Sequence, residues 1–174
     1  MKQLGDYVRT IPDFPEPGIM FRDITTILQD PDGLALAIDS LREKLSGVDY
    51  DVVVGPEARG FIFGMPIAYA EHKSFVPIRK KGKLPAETIS QDYDLEYGKA
   101  TVEIHKDAIV PGQKVVLVDD LLATGGTMEA NIKLVEKLGG KVVKVLFVLE
   151  LAGLKGRERL KNYDMDSLLI YEGK

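Results

Sequence analysis

Short apolar runs alternate along the chain with segments of helical periodicity. The clearest run, Val-Val-Leu-Val at 115–118, lacks polar alternation and therefore predicts a central parallel strand buried on both faces. Residues 128–138 follow with apolar side chains at Ile132, Val135 and Leu138, a spacing that predicts a helix. Similar patterns predict strands at 51–55, 74–79, 100–104, 141–149 and 167–171, and helices beginning at residues 31, 60 and 154. This order predicts an α/β fold with a central, mainly parallel sheet flanked by helices.

The N-terminal stretch follows neither pattern. Residues 2–9 weakly favour a short helix, whereas three prolines within residues 11–26 forbid one and impose an extended, turning path. Apolar residues in so irregular a segment, among them Phe14, Met20 and Phe21, need a surface to cover. The segment is either an arm packed on the domain edge or a cover over a ligand.

Composition narrows the class of protein. The chain has 174 residues without a repeat, low-complexity tract or linker, so a single domain spanning 1–174 is expected. A net charge of -4 argues against nonspecific nucleic-acid binding. No apolar run is long enough to span a membrane, the first ten residues lack the apolar core of a signal peptide, and cysteine is absent. We therefore expect a cytoplasmic protein with neither a nucleic-acid nor a membrane partner.

The strongest chemical signal follows the strand at 115–118. Asp119 and Asp120 come directly after it, and the turn Ala123-Thr124-Gly125-Gly126-Thr127 leads into the predicted helix. Glycines at such a turn permit positive φ and close ligand approach, and the helix N-terminus favours an anion. The threonine hydroxyls suit a phosphate, while the acids suit ribose hydroxyls or, through water, a hydrated divalent cation. The alternative is a tight strand–helix turn with surface acids.

The thirteen-residue run at 115–127 resembles the phosphoribosyl pyrophosphate motif of the type I phosphoribosyltransferases. Other segments, above all Pro-Gly-Ile-Met-Phe-Arg-Asp-Ile-Thr at 17–25, resemble the adenine-specific members of that family. The resemblance implies the type I fold with a hood at 1–27 and a flexible catalytic loop at about 80–97. It also implies the conversion of adenine and 5-phosphoribosyl 1-pyrophosphate to AMP and pyrophosphate in purine salvage, with Mg2+ as cofactor and a homodimeric assembly.

For the base, the resemblance implies that Phe21 stacks on the ring and that Leu151 packs on its second face. The C=O of Met20 and the N–H of Arg22 would bind an acceptor–donor pair of the base. Adenine offers an amino donor beside the N1 acceptor, whereas hypoxanthine offers the reverse. We therefore expect adenine to be preferred, because each unpaired buried polar group costs about 1 to 3 kcal/mol.

For the pyrophosphate, Arg59 opens a predicted helix directly after a buried strand, where it is either a solvated arginine or an anion ligand. The resemblance implies that the loop carrying Glu57, Ala58 and Arg59 binds pyrophosphate, often through a cis peptide between the first two. It also implies that Arg79 and Lys83 reach the same group.

The resemblance further assigns two residues to the mobile loop. Glu96 would accept or relay a proton from adenine, and Tyr97 would close over the base; from the residues alone, both are ordinary surface positions. There are three rival functions. One is a phosphoribosyltransferase for another base, and a second is a regulator that binds the sugar pyrophosphate without turnover. The third is a flavodoxin-like binding module, which would have no reason to carry the paired acids.

Overall fold

The computed structural model describes residues 2–95 and 97–173. Within these ranges seven strands form one sheet in the order β5-β6-β4-β3-β7-β8-β9. The strands of this sheet are β3 (Val52–Pro56), β4 (Ser74–Lys80), β5 (Thr88–Leu95), β6 (Gly98–His105), β7 (Lys114–Leu122), β8 (Lys141–Leu151) and β9 (Met165–Tyr171). The α-helices of the described residues are α1 (Thr25–Gln29), α2 (Pro31–Glu43), α3 (Arg59–Ala70), α4 (Gly126–Lys137) and α5 (Gly156–Arg159).

The sheet is mainly parallel, as predicted. Strands β4, β3, β7, β8 and β9 pair in parallel, whereas β6 pairs antiparallel with both β4 and β5. The predicted edge position of the last strand is confirmed, because β9 pairs only with β8 among the described residues. Strand β7 lies between β3 and β8, so the acids at 119 and 120 emerge from the middle of the sheet.

Alternate residues of β7 face two separate cores. Val115 and Leu117 pack with Ile132 and Val135 of α4 on one face. Val116 and Val118 belong to the core on the other face, together with buried residues of α2 and α3. Both faces of β7 are therefore covered, which explains why its sequence lacks polar alternation.

Helix α2 begins where the sequence predicts. The Asp30 side chain accepts hydrogen bonds from the N–H groups of Asp32 (2.9 Å) and Gly33 (3.1 Å), and Pro31 occupies the first helical position. The expected helix near the N-terminus is a single 3-10 turn, Leu4–Tyr7. Every helix in the described ranges is too short or too polar to cross a lipid bilayer.

The predicted loop at 80–97 is wrong in its extent. Residues 88–95 form strand β5, which pairs antiparallel with β6 along its whole length. Gly82 and Pro85 do mark a connection, but beyond it Ile89 and Tyr93 alternate with polar neighbours and pack against the core shared with α4. The excursion is therefore a β-hairpin whose outer strand is half-buried.

A small second sheet carries the N-terminal segment. Strands β1 (Arg9–Pro12) and β2 (Met20–Asp23) pair antiparallel, with Ile11 opposite Phe21 and Thr10 opposite Arg22. The rings of Phe14 and Phe21 meet edge to face at 5.2 Å between centroids. The expected extended, turning path is confirmed, and this sheet is hereafter called the hood sheet.

Candidate active site

A cavity of about 320 Å³ opens at the carboxyl ends of β3 and β7. Segments from four places in the sequence line it: the loop after β3, one residue of β5, the end of β7 with its turn, and one residue of β8. The lining residues are Pro56, Glu57, Ala58, Arg59, Tyr93, Asp119, Asp120, Leu121, Leu122, Ala123, Thr124, Gly125, Gly126, Thr127, Met128 and Phe147. The carboxyl end of a parallel sheet is where α/β proteins bind ligands, and ten of the predicted site residues meet there.

The turn between β7 and α4 forms one wall of the cavity. Gly125 has a φ of 85°, as predicted, but Gly126 is already the first residue of α4 and is helical, so the prediction of positive φ there is wrong. The strand also runs further than predicted, through both acids to Leu122. The N–H groups that begin α4 and the hydroxyls of Thr124 and Thr127 are therefore grouped beside the cavity, an arrangement suited to an anion.

The paired acids differ in their surroundings. Asp120 is only 3% exposed, and its Oδ2 lies 3.0 Å from Arg59 Nε, although no described residue donates a well-aligned hydrogen bond to that oxygen. Asp119 is half-buried and accepts a hydrogen bond from the N–H of Asp120. Burial, followed by the charge of Asp120, raises the pKa of Asp119 well above its ordinary range. A ligand that offers hydroxyls or positive charge would satisfy this pair.

The loop after β3 brings Arg59 to the cavity. The peptide bond between Glu57 and Ala58 is cis, as the resemblance implied. Helix α3 then passes very close to the sheet: a Cβ built on Gly60 would lie 2.6 Å from Pro56 Cδ and 3.1 Å from the Val118 carbonyl oxygen. A glycine at this position therefore lets α3 start directly against β7, which places Arg59 beside Asp120.

Glu57 joins this loop to the basic segment after β4. Its carboxylate accepts a hydrogen bond from Lys80 N–H (2.7 Å) and contacts Arg79 Nη2 (3.2 Å). Burial opposes ionisation of Glu57, but these hydrogen bonds outweigh it and lower its pKa. Arg79 also reaches the carbonyl oxygen of Lys83 at 3.4 Å. In this structure Arg79 and Lys83 therefore lie beside the cavity wall instead of lining the cavity.

The hood sheet stands apart from the cavity. Arg9 and Thr25 hold the Asp23 carboxylate; hydrogen bonds from Thr25 and then Arg9 lower the pKa of Asp23 to about 2. The guanidinium of Arg22 lies over the Tyr171 ring, 4.1 Å from its centroid. Tyr171 is the strand partner of Leu151 in β9 and β8. The hood is thus tied to the end of the sheet at which Leu151 lies.

Not all predicted site residues line the cavity. Met20, Phe21 and Arg22 lie in the hood sheet, Leu151 ends β8, and Tyr97 is exposed at the turn of the β5–β6 hairpin. Glu96 falls outside the described residues. Within those residues, no group of three or more histidines or acids is placed to hold a metal ion.

Sequence reasoning missed Tyr93 and Phe147, which line the cavity from β5 and β8. The loop predicted at about 80–97 includes Tyr93, and the alternation of apolar and polar residues in β5 is the signal that could have placed it on a strand. A short helix beginning at residue 154 was predicted and is present as α5, but the sequence did not predict its contact with the turn at 123–127. Gly156 packs tightly against the turn at 123–127, since a Cβ on Gly156 would lie 2.4 Å from the Ala123 carbonyl oxygen.

The family described as phosphoribosyl transferase domain matches residues 23–172 of this chain. An adenine phosphoribosyltransferase of Agathobacter rectalis is 66% identical over 174 residues, covering 100% of both chains. The crystal structure of adenine phosphoribosyltransferase from Thermoanaerobacter pseudethanolicus superposes with a TM-score of 0.92 at 52% identity, covering 97% of this chain and 98% of that one. The Saccharomyces cerevisiae enzyme, solved with an imino-altritol bisphosphate and adenine, gives 0.89 at 42% identity, covering 95% and 96%.

These similarities extend over almost the whole chain and include the strand, acids and turn that form the cavity. The type I fold predicted from the sequence is confirmed, and the chain belongs to the phosphoribosyltransferase family.

Proposed function

We propose that this chain transfers the phosphoribosyl group of 5-phosphoribosyl 1-pyrophosphate to N9 of adenine, giving AMP and pyrophosphate in purine salvage. The N9–C1 bond forms as the bond from C1 to the pyrophosphate oxygen breaks. The observation that carries the proposal is the single cavity in which two acids, an anion-binding turn and Arg59 meet. Its three parts match the hydroxyls, 5-phosphate and pyrophosphate of one substrate. Full-length identity of 66% to an adenine phosphoribosyltransferase supports adenine as the acceptor.

In the proposed complex, the backbone at Ala123 to Thr127 and the hydroxyls of Thr124 and Thr127 bind the 5-phosphate. Asp119 and Asp120 accept hydrogen bonds from the ribose hydroxyls. The substitution at C1 passes through an oxocarbenium-like state, so nearby carboxylates also stabilise the positive charge that develops on the sugar. Burial and the charge of Asp120 raise the pKa of Asp119, and hydrogen bonds donated by the ribose hydroxyls would favour its ionised form.

The backbone of Glu57 and Ala58, together with the Arg59 guanidinium, forms the proposed pyrophosphate seat. A guanidinium suits this group because it offers several N–H donors in one plane. Arg79 and Lys83 supply further cations from the edge of the cavity. The Glu57 carboxylate contributes by holding Arg79 and the Lys80 N–H in place, since it is already occupied by them.

The hood sheet selects the base. In an antiparallel pair, the backbone groups of alternate residues point toward the partner strand. Pro12, opposite Met20, has no N–H to donate, and the N–H of Arg9 points toward the β2 side, where it donates to Thr26 Oγ1 at 3.1 Å. We infer that the Met20 C=O and the Arg22 N–H point away from β1, available to the amino group and N1 of adenine. Phe21 and Leu151 then enclose the ring.

Tyr97, which is exposed at the turn of the β5–β6 hairpin, closes over the bound base together with Glu96 in this proposal. Glu96 accepts or relays the N9 proton as the new bond forms. Closure excludes water that would otherwise hydrolyse the activated sugar.

Mg2+ is the proposed cofactor. Asp120 Oδ2 is buried without a well-aligned hydrogen-bond donor among the described residues, and Asp119 lies next to it, so the pair fits the waters of a hydrated magnesium ion. When bound, the ion neutralises negative charge on the leaving pyrophosphate.

A homodimer is the proposed assembly. Ile62, Met65 and Tyr69 repeat at helical spacing on α3 and are 38%, 49% and 87% exposed. An exposed apolar stripe of this kind favours a protein interface. It lies on the helix that begins with Arg59, so a second copy seated there would border the pyrophosphate seat. We place the enzyme in the cytoplasm because its multiply charged sugar substrate does not cross membranes.

The purified protein, Mg2+ and the sugar pyrophosphate should be offered adenine, hypoxanthine and guanine in turn. We expect AMP formation with a kcat/KM for adenine at least about a hundredfold higher than for the other bases, because two mismatched polar groups combine. Preferred turnover of another base would move the protein to a different substrate class. Binding of the sugar pyrophosphate without turnover of any base would identify a regulator instead.

A further inference from the structure

Among the described residues that line the cavity, the charged groups are the carboxylates of Glu57, Asp119 and Asp120 and the guanidinium of Arg59. None of these lining residues provides a cation at the turn proposed to bind the 5-phosphate. Arg59 lies against Asp120, on the side assigned to ribose and pyrophosphate. Backbone N–H groups and hydroxyls can orient a phosphate dianion, but in such surroundings a nearby positive charge strengthens binding considerably.

Arg159 is the arginine that borders the turn from outside the lining. A Cβ built on Gly126 would lie 3.2 Å from Arg159 Nη1 and 3.9 Å from Thr124 Oγ1, so the guanidinium and this hydroxyl flank the same small space. The turn that carries Arg159 is itself packed on the phosphate-binding segment, because a Cβ on Gly125 would lie 3.1 Å from the Gly156 carbonyl oxygen. The position of Arg159 is therefore fixed relative to the turn.

The present contacts of Arg159 leave it able to turn toward a ligand. Its described ion-pair partner is Glu129 in the first turn of α4, at 3.5 Å, and the Arg159 side chain is 48% exposed. A contact so long and exposed contributes little free energy. By contrast, Arg157 on the same turn donates from Nε (3.0 Å) and Nη2 (2.6 Å) to the buried carboxylate of Glu150. Arg159, unlike Arg157, can exchange its partner at low cost.

We propose that Arg159 is a further specificity-determining residue, which binds the 5-phosphate of the substrate and distinguishes phosphorylated from unphosphorylated ribose. Its guanidinium leaves Glu129 and donates to the phosphate oxygens that face away from the backbone of the turn. The positive charge of Arg159, now beside the phosphate, offsets the repulsion that Glu129 exerts on the dianion. The proposal rests on the proposed function, in which the turn at 123–127 binds the 5-phosphate.

The test compares AMP with adenosine, which differ only in the 5-phosphate, as calorimetric ligands of Arg159→Gln and the parent. Arg159→Gln keeps a polar side chain, which is shorter, and loses the charge. We expect AMP affinity to fall about tenfold and adenosine affinity to stay within twofold. Arg159→Lys should recover part of the AMP affinity. Lys161→Gln, the loss of an exposed cation two residues further on, serves as the matched control and should change neither ligand.

Steady-state kinetics gives an independent reading. Arg159→Gln should raise KM for the sugar pyrophosphate with little change in kcat, since the 5-phosphate is bound equally in ground and transition states. Equal losses for AMP and adenosine, or an Arg159→Gln variant identical to the parent, would overturn the proposal. The proposed function is tested separately, by AMP formation in the parent protein.

Discussion

The cavity and the hood sheet are built in opposite ways. The cavity grows out of β7, whose four apolar residues before the acids are completely buried between two cores. The hood sheet has two short strands in which only Asp23 is buried, and polar contacts such as the Arg9–Asp23 pair stabilise it. The part that recognises the sugar phosphate thus belongs to the folded core, whereas the proposed base selector is an attachment to it. Changes near the cavity should affect stability and all turnover, while changes in the hood should affect one substrate.

The largest expected effect lies at the cavity. Arg59→Ala removes charge-assisted contacts to pyrophosphate worth about 1.5 to 3 kcal/mol, so kcat/KM should fall about ten- to a hundredfold. Arg42→Ala is the matched control, because Arg42 pairs with Glu71 just beyond the opposite end of α3. Steady-state assays of both variants decide the matter. An Arg59→Ala enzyme as active as its parent would remove Arg59 from the pyrophosphate seat.

A steric change next to the cavity should cost stability as well. In Gly156→Ala the new methyl would lie 2.4 Å from the Ala123 carbonyl oxygen and 2.7 Å from Leu122 Cδ1, so the turn must shift. We expect about 1 to 3 kcal/mol of destabilisation in urea unfolding, together with a raised KM for the sugar pyrophosphate. Gly173→Ala, at a position with open space around it, is the control. Unchanged unfolding of Gly156→Ala would show that the turn is more adaptable than its packing indicates.

A substitution in the hood sheet should change the use of adenine but not the stability of the fold. Phe21→Ala removes the ring proposed to stack on adenine, and KM for adenine should rise about tenfold. Because Phe21 is only half-buried, the midpoint of thermal unfolding should move little. A variant that unfolds several degrees earlier would place Phe21 in the core and weaken the contrast between the two regions.

The smallest expected effect concerns pH. Burial and the charge of Asp120 raise the pKa of Asp119 above its ordinary value of 3.8, so the folded chain holds this proton more tightly than the unfolded chain. The stability contributed by the proton is present at low pH and is lost as the pH rises through the folded-state pKa. Asp119→Asn should therefore unfold about 2 to 4 °C higher than the parent near pH 8, with a difference that shrinks toward pH 4. Its activity should nevertheless fall, since a ribose ligand is weakened. A constant difference across this range would contradict the assignment.

The contrast also explains what the sequence could predict. Local signals were sufficient for β7, for the turn at Gly125 and for α2, because a buried strand, a positive φ and an N-terminal cap each leave their own residue pattern. Gly82 and Pro85 predict a loop, but the connection ends before residue 88, so the outer strand of the hairpin was not predicted. The alternation of β5 could have placed Tyr93 on a strand, but no local pattern shows that this strand reaches the cavity. Arg159 comes to lie beside the turn at 123–127 only through packing between distant segments, which leaves no local signal.

The central claim is that the cavity binds the sugar pyrophosphate and the hood sheet selects the base. Binding of the sugar pyrophosphate in the absence of any base tests this claim most directly. In calorimetric titrations with the sugar pyrophosphate in the presence of Mg2+, the Phe21→Ala variant should bind this ligand with a Kd within about twofold of the parent, because the hood sheet does not contribute to the sugar-phosphate cavity. A Kd weakened tenfold would show that the hood and the cavity bind this substrate as one unit, and would contradict the account.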